Sequence, residues 1–157
     1  TMSTYASQKL WKPMGAKNDA LWCIDKEKGV EKAYCCFNSN ARDFARFGKL
    51  VLHDGMANGK QVVPKSYMDK LDDPALHLTD NDGNKVDYYS WQWWLMEYEN
   101  HEVVYMRGVN GQYVFVIPDL DLVIVRLGHK RSKERKGIVP IDIYSYLEAG
   151  IELAAKN

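Results

Sequence analysis

The run Gln112-Tyr113-Val114-Phe115-Val116-Ile117, followed after Pro118-Asp119 by Leu122-Val123-Ile124-Val125-Arg126, constrains this chain more than any other stretch. β-branched and aromatic residues in runs of this length are strand formers, and Pro-Asp is turn chemistry. A link so short makes the two strands antiparallel neighbours. Upstream, "YYSWQWWLM" (88–96) alternates as a strand, and "EVVYMRG" (102–108) follows it after the turn "YENHE". From Tyr88 onward the chain therefore reads as an antiparallel meander.

Helices flank that meander. In "NSNARDFARFGKLVLHDG" (38–55), Asn38 or Asn40 can cap the first turn. Phe44, Phe47 and Val51 share one face, and Gly55 ends the helix. A short helix is expected from a cap at Ser3 or Thr4 through Leu10, and another from Pro64 over "PKSYMDKL". Pro140 to Lys156 carries Ile143, Leu147, Ile151 and Ala154 on one stripe. "ALWCID" (20–25) and "EKAYCCF" (31–37) read as two strands around the turn "KEKG". The fold class is α+β, an antiparallel sheet flanked by helices. At 157 residues, one domain is expected over 1–157.

The 21 basic and 21 acidic side chains cancel, which leaves no electrostatic footprint for nucleic acid or an anionic membrane. The basic run "HKRSKERK" (129–136) reads as a solvated turn. No apolar run has the length of a membrane span. No signal peptide opens the chain, and the early helix pattern suggests a start inside a larger protein. Cys23, Cys35 and Cys36 have neither the count of a disulfide framework nor the spacing of a zinc site, so buried free thiols are expected. "DNDGN" (80–84) lacks the ligand alternation and closing glutamate of an EF-hand and reads as a turn. Neither metal nor cofactor is expected.

Catalytic signatures are missing. There is no G-x-S-x-G, S-x-x-K, P-loop or H-E-x-x-H. His53 ends a helix, and His101 and His129 stand at strand ends. The aromatic residues Tyr88, Tyr89, Trp91, Trp93 and Trp94 offer a stacking platform for glycan or peptide. In an alternating strand they split instead between core and surface, with Trp91 and Trp93 on one face and Trp94 on the other. Taken by themselves, the residues amount to no complete catalytic apparatus.

Five segments, in order, carry a resemblance: "YASQKLWKPMGA", "NSNARDFARFGKLVLHDG", "GKQVVPKSYMDK", "YSWQWWL" and "GQYVFVIPDLDLVIVRLG". Together they resemble the C-terminal half of the β-lactamase-related serine hydrolases. That family includes class C β-lactamases, penicillin-binding D-alanyl-D-alanine peptidases, esterases and 6-aminohexanoate-dimer hydrolases. The resemblance implies the C-terminal part of a β-lactamase/transpeptidase-like fold. It implies an S-x-x-K nucleophile and a Tyr-x-Asn motif upstream, with only the third family motif inside this chain, at Val109-Asn110-Gly111. Tyr98-Glu99-Asn100 matches Tyr-x-Asn literally but lies too close to that third motif to be it.

By this resemblance the Gln112 N–H is an oxyanion-hole donor, and Val109, Asn110, Gly111 and Arg107 line the substrate. Gly111 would let substrate lie against the strand without a Cβ in the way. Val109 stands where the family carries a cation or an imidazole, which favours an ester, amide or peptide over a β-lactam. The isolated chain is expected to be inert, with a small-molecule or peptide substrate for the whole enzyme. Self-association or a companion N-terminal fragment is expected, and the resemblance points to the periplasm. The competing expectation is a non-catalytic binding module that uses the aromatic strand 88–94.

Overall fold

The computed structural model describes residues 1–156. Helix α1 (Met2–Ala6) runs directly into a π-helical turn, Ser7–Trp11. Its cap is Thr1, ahead of the Ser3 or Thr4 expected: the Thr1 hydroxyl accepts the Thr4 N–H at 3.2 Å. Strands β1 (Leu21–Trp22) and β2 (Phe37–Asn38) pair antiparallel, with one further bridge at Ile24 and Glu31. They are far shorter than the two strands expected over 20–25 and 31–37. Asp25 takes the N–H groups of Lys26 and Val30, at 2.8 and 2.9 Å, and Cys36 sits at φ +71°. Both features bend the backbone out of a ladder.

The cysteines also depart from expectation. Cys35 and Cys36 form a disulfide with each other, and Cys23 is an exposed free thiol. They lie on a surface hairpin whose Leu21, Val30 and Tyr34 are themselves exposed, so none of the three belongs to the core clusters.

Helix α2 (Ala41–Leu52) follows, with Asn40 as its cap. Gly55, at φ +80°, closes it by donating its N–H to the Leu50 carbonyl at 2.8 Å. The hairpin of β3 (Met56–Ala57) and β4 (Lys60–Gln61) turns through Asn58-Gly59, both at positive φ as a primed turn requires. Helix α3 covers only Lys65–Met68. It stops short of "PKSYMDKL" because Leu71 leaves the helical path to bury its side chain beside Met68 and Trp93. The Leu71 carbonyl there accepts the Ser90 hydroxyl. In the polar stretch that follows, the Asp80 carboxylate accepts the N–H groups of Asp82 and Asn84 at 2.9 and 2.8 Å and closes a turn.

The meander forms as read: β5 (Trp94–Tyr98), β6 (His101–Arg107), β7 (Tyr113–Ile117) and β8 (Leu122–Arg126) lie antiparallel in sequence order. Its first strand begins six residues later than expected from Tyr88. Gln92 at φ +71° and the Ser90 N–H to Trp93 carbonyl bond (2.9 Å) make a turn there. That turn undoes the expected alternation: Trp91 is exposed, Trp93 is buried, and Trp94 lies against the opposite core. Tyr98-Glu99-Asn100 is the β5–β6 turn, with Glu99 and Asn100 both at positive φ. The basic run after β8 is mostly exposed and ends in β9 (Arg135–Lys136), which pairs with β10 (Val139–Pro140).

Helix α4 (Asp142–Ala154) covers one face of the sheet. Ile143 and Leu147 are fully buried against Val103, Tyr105, Tyr113, Phe115 and Ile117, whereas Ala154 remains exposed. The other face packs Val104 with Trp93, Met68 and Leu71, and Phe47 and Val51 of α2 join them. Each large apolar side chain so buried contributes about 1.5–3 kcal/mol. Strand β7, buried at every position, is thereby sandwiched between α2 and α4.

Candidate active-site loop

Arg107 at the end of β6 and Tyr113 at the start of β7 are ladder partners, so Gly108–Gln112 must close the link between them. The loop is held by its own groups. Gly108 N–H donates to the Gln112 carbonyl at 2.7 Å, and Gly111 N–H to the Gly108 carbonyl at 3.1 Å. The Gln112 side chain works in both directions: its Oε1 accepts the Asn110 N–H at 3.2 Å, and its Nε2 donates to the Gly128 carbonyl at 2.6 Å. Among the described residues, the N–H groups of Val109 and Gln112 donate to no partner. A backbone N–H that the protein leaves unpartnered at the surface is open to water or to a ligand oxygen, and two in one short loop are the raw material of an anion or oxyanion site.

The residues expected to line substrate fall in different surroundings. Val109 and Asn110 are exposed, Val109 to 74%. Gly111 is buried at φ +80°, a conformation that suits glycine. A Cβ built on it would lie 2.4 Å from Arg126 Nη1 and 2.7 Å from the Lys130 carbonyl oxygen. The room left by its missing Cβ is thus filled by the protein itself rather than kept open for substrate.

Arg107 projects onto the α4 face of the sheet with Tyr105, and its guanidinium lies 4.3 Å from the Trp94 ring centroid. Its Nη1 is buried without a partner among the described residues, as are the hydroxyls of Tyr105 and Tyr113 and Asp142 Oδ1. Burial pushes the Tyr105 phenol pKa up, against the opposing pull of Arg107. Burial also raises that of Tyr113, helped by the Asp142 carboxylate. Both phenols are neutral at ordinary pH. They form a polar layer between the sheet and the start of α4.

Reading the sequence alone misses Arg126. Its Nη1 donates to the Gly111 carbonyl and, at 3.5 Å, to that of Asn110, while its guanidinium lies over Tyr146 of α4 at 5.3 Å. Nothing in "LVIVRLG" marks this arginine, because its target lies across the ladder rather than nearby in sequence. Of the aromatic residues at 88–94, Trp91 alone is exposed, with Lys70 Nζ 4.5 Å from its ring centroid. One open ring is a poor stacking platform. Among the described residues no group of three or more His, Cys, Asp or Glu is arranged to hold a metal, and no helix is long and apolar enough to cross a membrane.

Comparison with known proteins agrees with this architecture. A family model described as Beta-lactamase matches residues 1–142. The 6-aminohexanoate-dimer hydrolase of Paenarthrobacter ureafaciens is 30% identical over 131 residues, which make up 80% of this chain and 32% of that protein. A solved structure, a putative 6-aminohexanoate-dimer hydrolase from Bacillus anthracis, shares 28% identity at a TM-score of 0.74. That match covers 96% of this chain and 37% of the other. The chain thus spans about a third of the length of these relatives. Its α+β meander, its flanking helices and these matches place it in the β-lactamase family of hydrolases.

Proposed function

We propose that the chain is the C-terminal portion of a serine hydrolase that cleaves an ester, amide or peptide through an acyl-enzyme. In this reading the S-x-x-K nucleophile lies upstream of Thr1. The observation that carries it is the pair of unpartnered N–H groups in the loop at 108–112. Attack by a serine oxygen on a carbonyl carbon moves negative charge onto the carbonyl oxygen. The Gln112 N–H, joined by the amide of the upstream serine, stabilises that charge. The Val109 N–H is a second free donor in the same loop. The Val109 side chain supplies neither a positive charge nor a proton, which favours an ester or linear amide over a β-lactam. The names of the two relatives make a 6-aminohexanoate dimer the first amide to try.

Sequencing the gene upstream of Thr1 tests this reading. An S-x-x-K motif followed at a distance by Tyr-x-Asn is expected, and an upstream region without such a serine overturns it. The isolated chain should release no product above background from nitrocefin, p-nitrophenyl esters or the 6-aminohexanoate dimer. Turnover that survives repurification would refute a nucleophile outside the chain. A periplasmic location follows from the resemblance alone, and fractionation of the source cells checks it.

A further inference from the structure

A trans peptide unit is planar and carries its C=O and N–H on opposite edges. Whatever grips the Gly111 carbonyl therefore sets the direction of the Gln112 N–H, since the two belong to one peptide and no peptide bond among the described residues is cis. The grip is Arg126. It is the last residue of β8 and the ladder partner of Tyr113, so it rises from the strand beside β7. Its Nη1 donates to the Gly111 carbonyl, and Tyr146 of α4 backs the guanidinium.

Two glycines make the space. A Cβ on Gly128 would lie 2.2 Å from Arg126 Cζ, and one on Gly111 would lie 2.4 Å from Nη1. Neither position could carry another side chain while the guanidinium stays where it is. A cation on the carbonyl also withdraws electron density from the amide, which makes its N–H a better donor.

We propose that Arg126 is a positioning residue: by holding the Gly111 carbonyl it aims and strengthens the Gln112 N–H as the donor to the reacting carbonyl. The aiming is a property of this chain, whereas the use of the donor rests on the function proposed above.

The test uses the ¹⁵N-labelled chain with Arg126→Gln, Arg126→Lys and Gly128→Ala. In Arg126→Gln the Gln112 amide resonance should move. The Gly108, Asn110 and Gly111 amides should exchange about tenfold faster, the shift expected on losing one charge-assisted hydrogen bond. The sheet amides of Val104 and Phe115 should not change. Gly128→Ala keeps the charge but displaces the guanidinium, and should give the same local pattern. Arg126→Lys retains a donor and should restore part of the protection.

An unmoved Gln112 resonance in both Arg126→Gln and Gly128→Ala overturns the positioning role. Faster exchange spread evenly over the sheet overturns it as well, because Arg126 would then only support the fold. The function is read separately, in the whole gene product. There Arg126→Gln should lower kcat while KM holds. A moved amide with unchanged kcat leaves the positioning intact and removes the oxyanion role.

Discussion

Asn40 and Asp43 bond each other twice at the start of α2. Asn40 Oδ1 accepts the Asp43 N–H at 3.0 Å, and Asn40 Nδ2 donates to Asp43 Oδ2 at 2.8 Å. The same carboxylate accepts the N–H groups of Lys17 and Asn18, the Asn18 side chain and Arg46 Nη1, all within 3.1 Å. Asp43 is fully buried. A cap that serves one helix thus also anchors the segment after α1. Asp43→Ala leaves those donors without an acceptor and should lower stability by about 3 kcal/mol in urea unfolding. A loss below about 1 kcal/mol would deny Asp43 this organising role.

Acid should act through the same group. Burial pushes the Asp43 pKa up, but the hydrogen bonds from Lys17, Asn18 and Asn40 outweigh it and hold the carboxyl well below its ordinary value near 3.8. A pKa depressed by folding gives stability that is fully present above the unfolded value. That stability is lost as the pH falls towards the folded value. The melting temperature should therefore drop on acidification below about pH 4. Asp43→Asn should be less stable at neutral pH and lose less on acidification. Parallel Tm profiles for the two proteins would exclude Asp43 as a source of the acid sensitivity.

Two helix glycines should resist alanine for the same reason. A Cβ on Gly48 of α2 would lie 2.5 Å from Val123 Cγ1 and 3.0 Å from Val114 Cγ1, both stiff β-branched side chains. Overpacking costs about 1–3 kcal/mol against a propensity gain of about 1 kcal/mol, so Gly48→Ala should destabilise. On Gly150 of α4 a Cβ would lie 2.3 Å from Ile124 Cδ1 and 2.7 Å from its Cγ1, and Ile124 is β-branched as well. Gly150→Ala should therefore destabilise too, by about 1–3 kcal/mol. A gain of stability by either variant in thermal melts would contradict this packing.

Thiol titration of the folded protein should count one reactive cysteine, Cys23, rising to three after reduction. Three thiols without reductant would mean that the Cys35–Cys36 bond does not form.

Leu21, Val30 and Tyr34 expose more than half of their surface on one hairpin, β8 is an edge strand of the main sheet, and β5, at the other edge, is met at its start by the Tyr89–Trp94 bridge. Apolar patches and open edges invite pairing. The chain should self-associate in sedimentation, and Leu21→Lys with Tyr34→Lys should shift it towards monomer. A monodisperse monomer for the unaltered chain rules the interface out.

Much of this protein was determined by local sequence. The β5–β8 meander, α2 with its Asn40 cap and Gly55 stop, and the buried stripe of α4 all follow from periodicity and turn chemistry acting over a few residues. The family was legible for the same reason, because its longest shared segments are these regular elements. The tertiary structure decided the rest. Tyr88–Trp93 alternates like a strand, yet Ser90 and Gln92 turn it, because the Ser90 hydroxyl finds the Leu71 carbonyl and Trp93 finds the core. Arg107 and Arg126 look alike in sequence. One is laid over Trp94 beneath α4, and the other grips the candidate loop. Such contacts join residues far apart in the chain, and only the packing of strand on strand and helix on sheet brings them together.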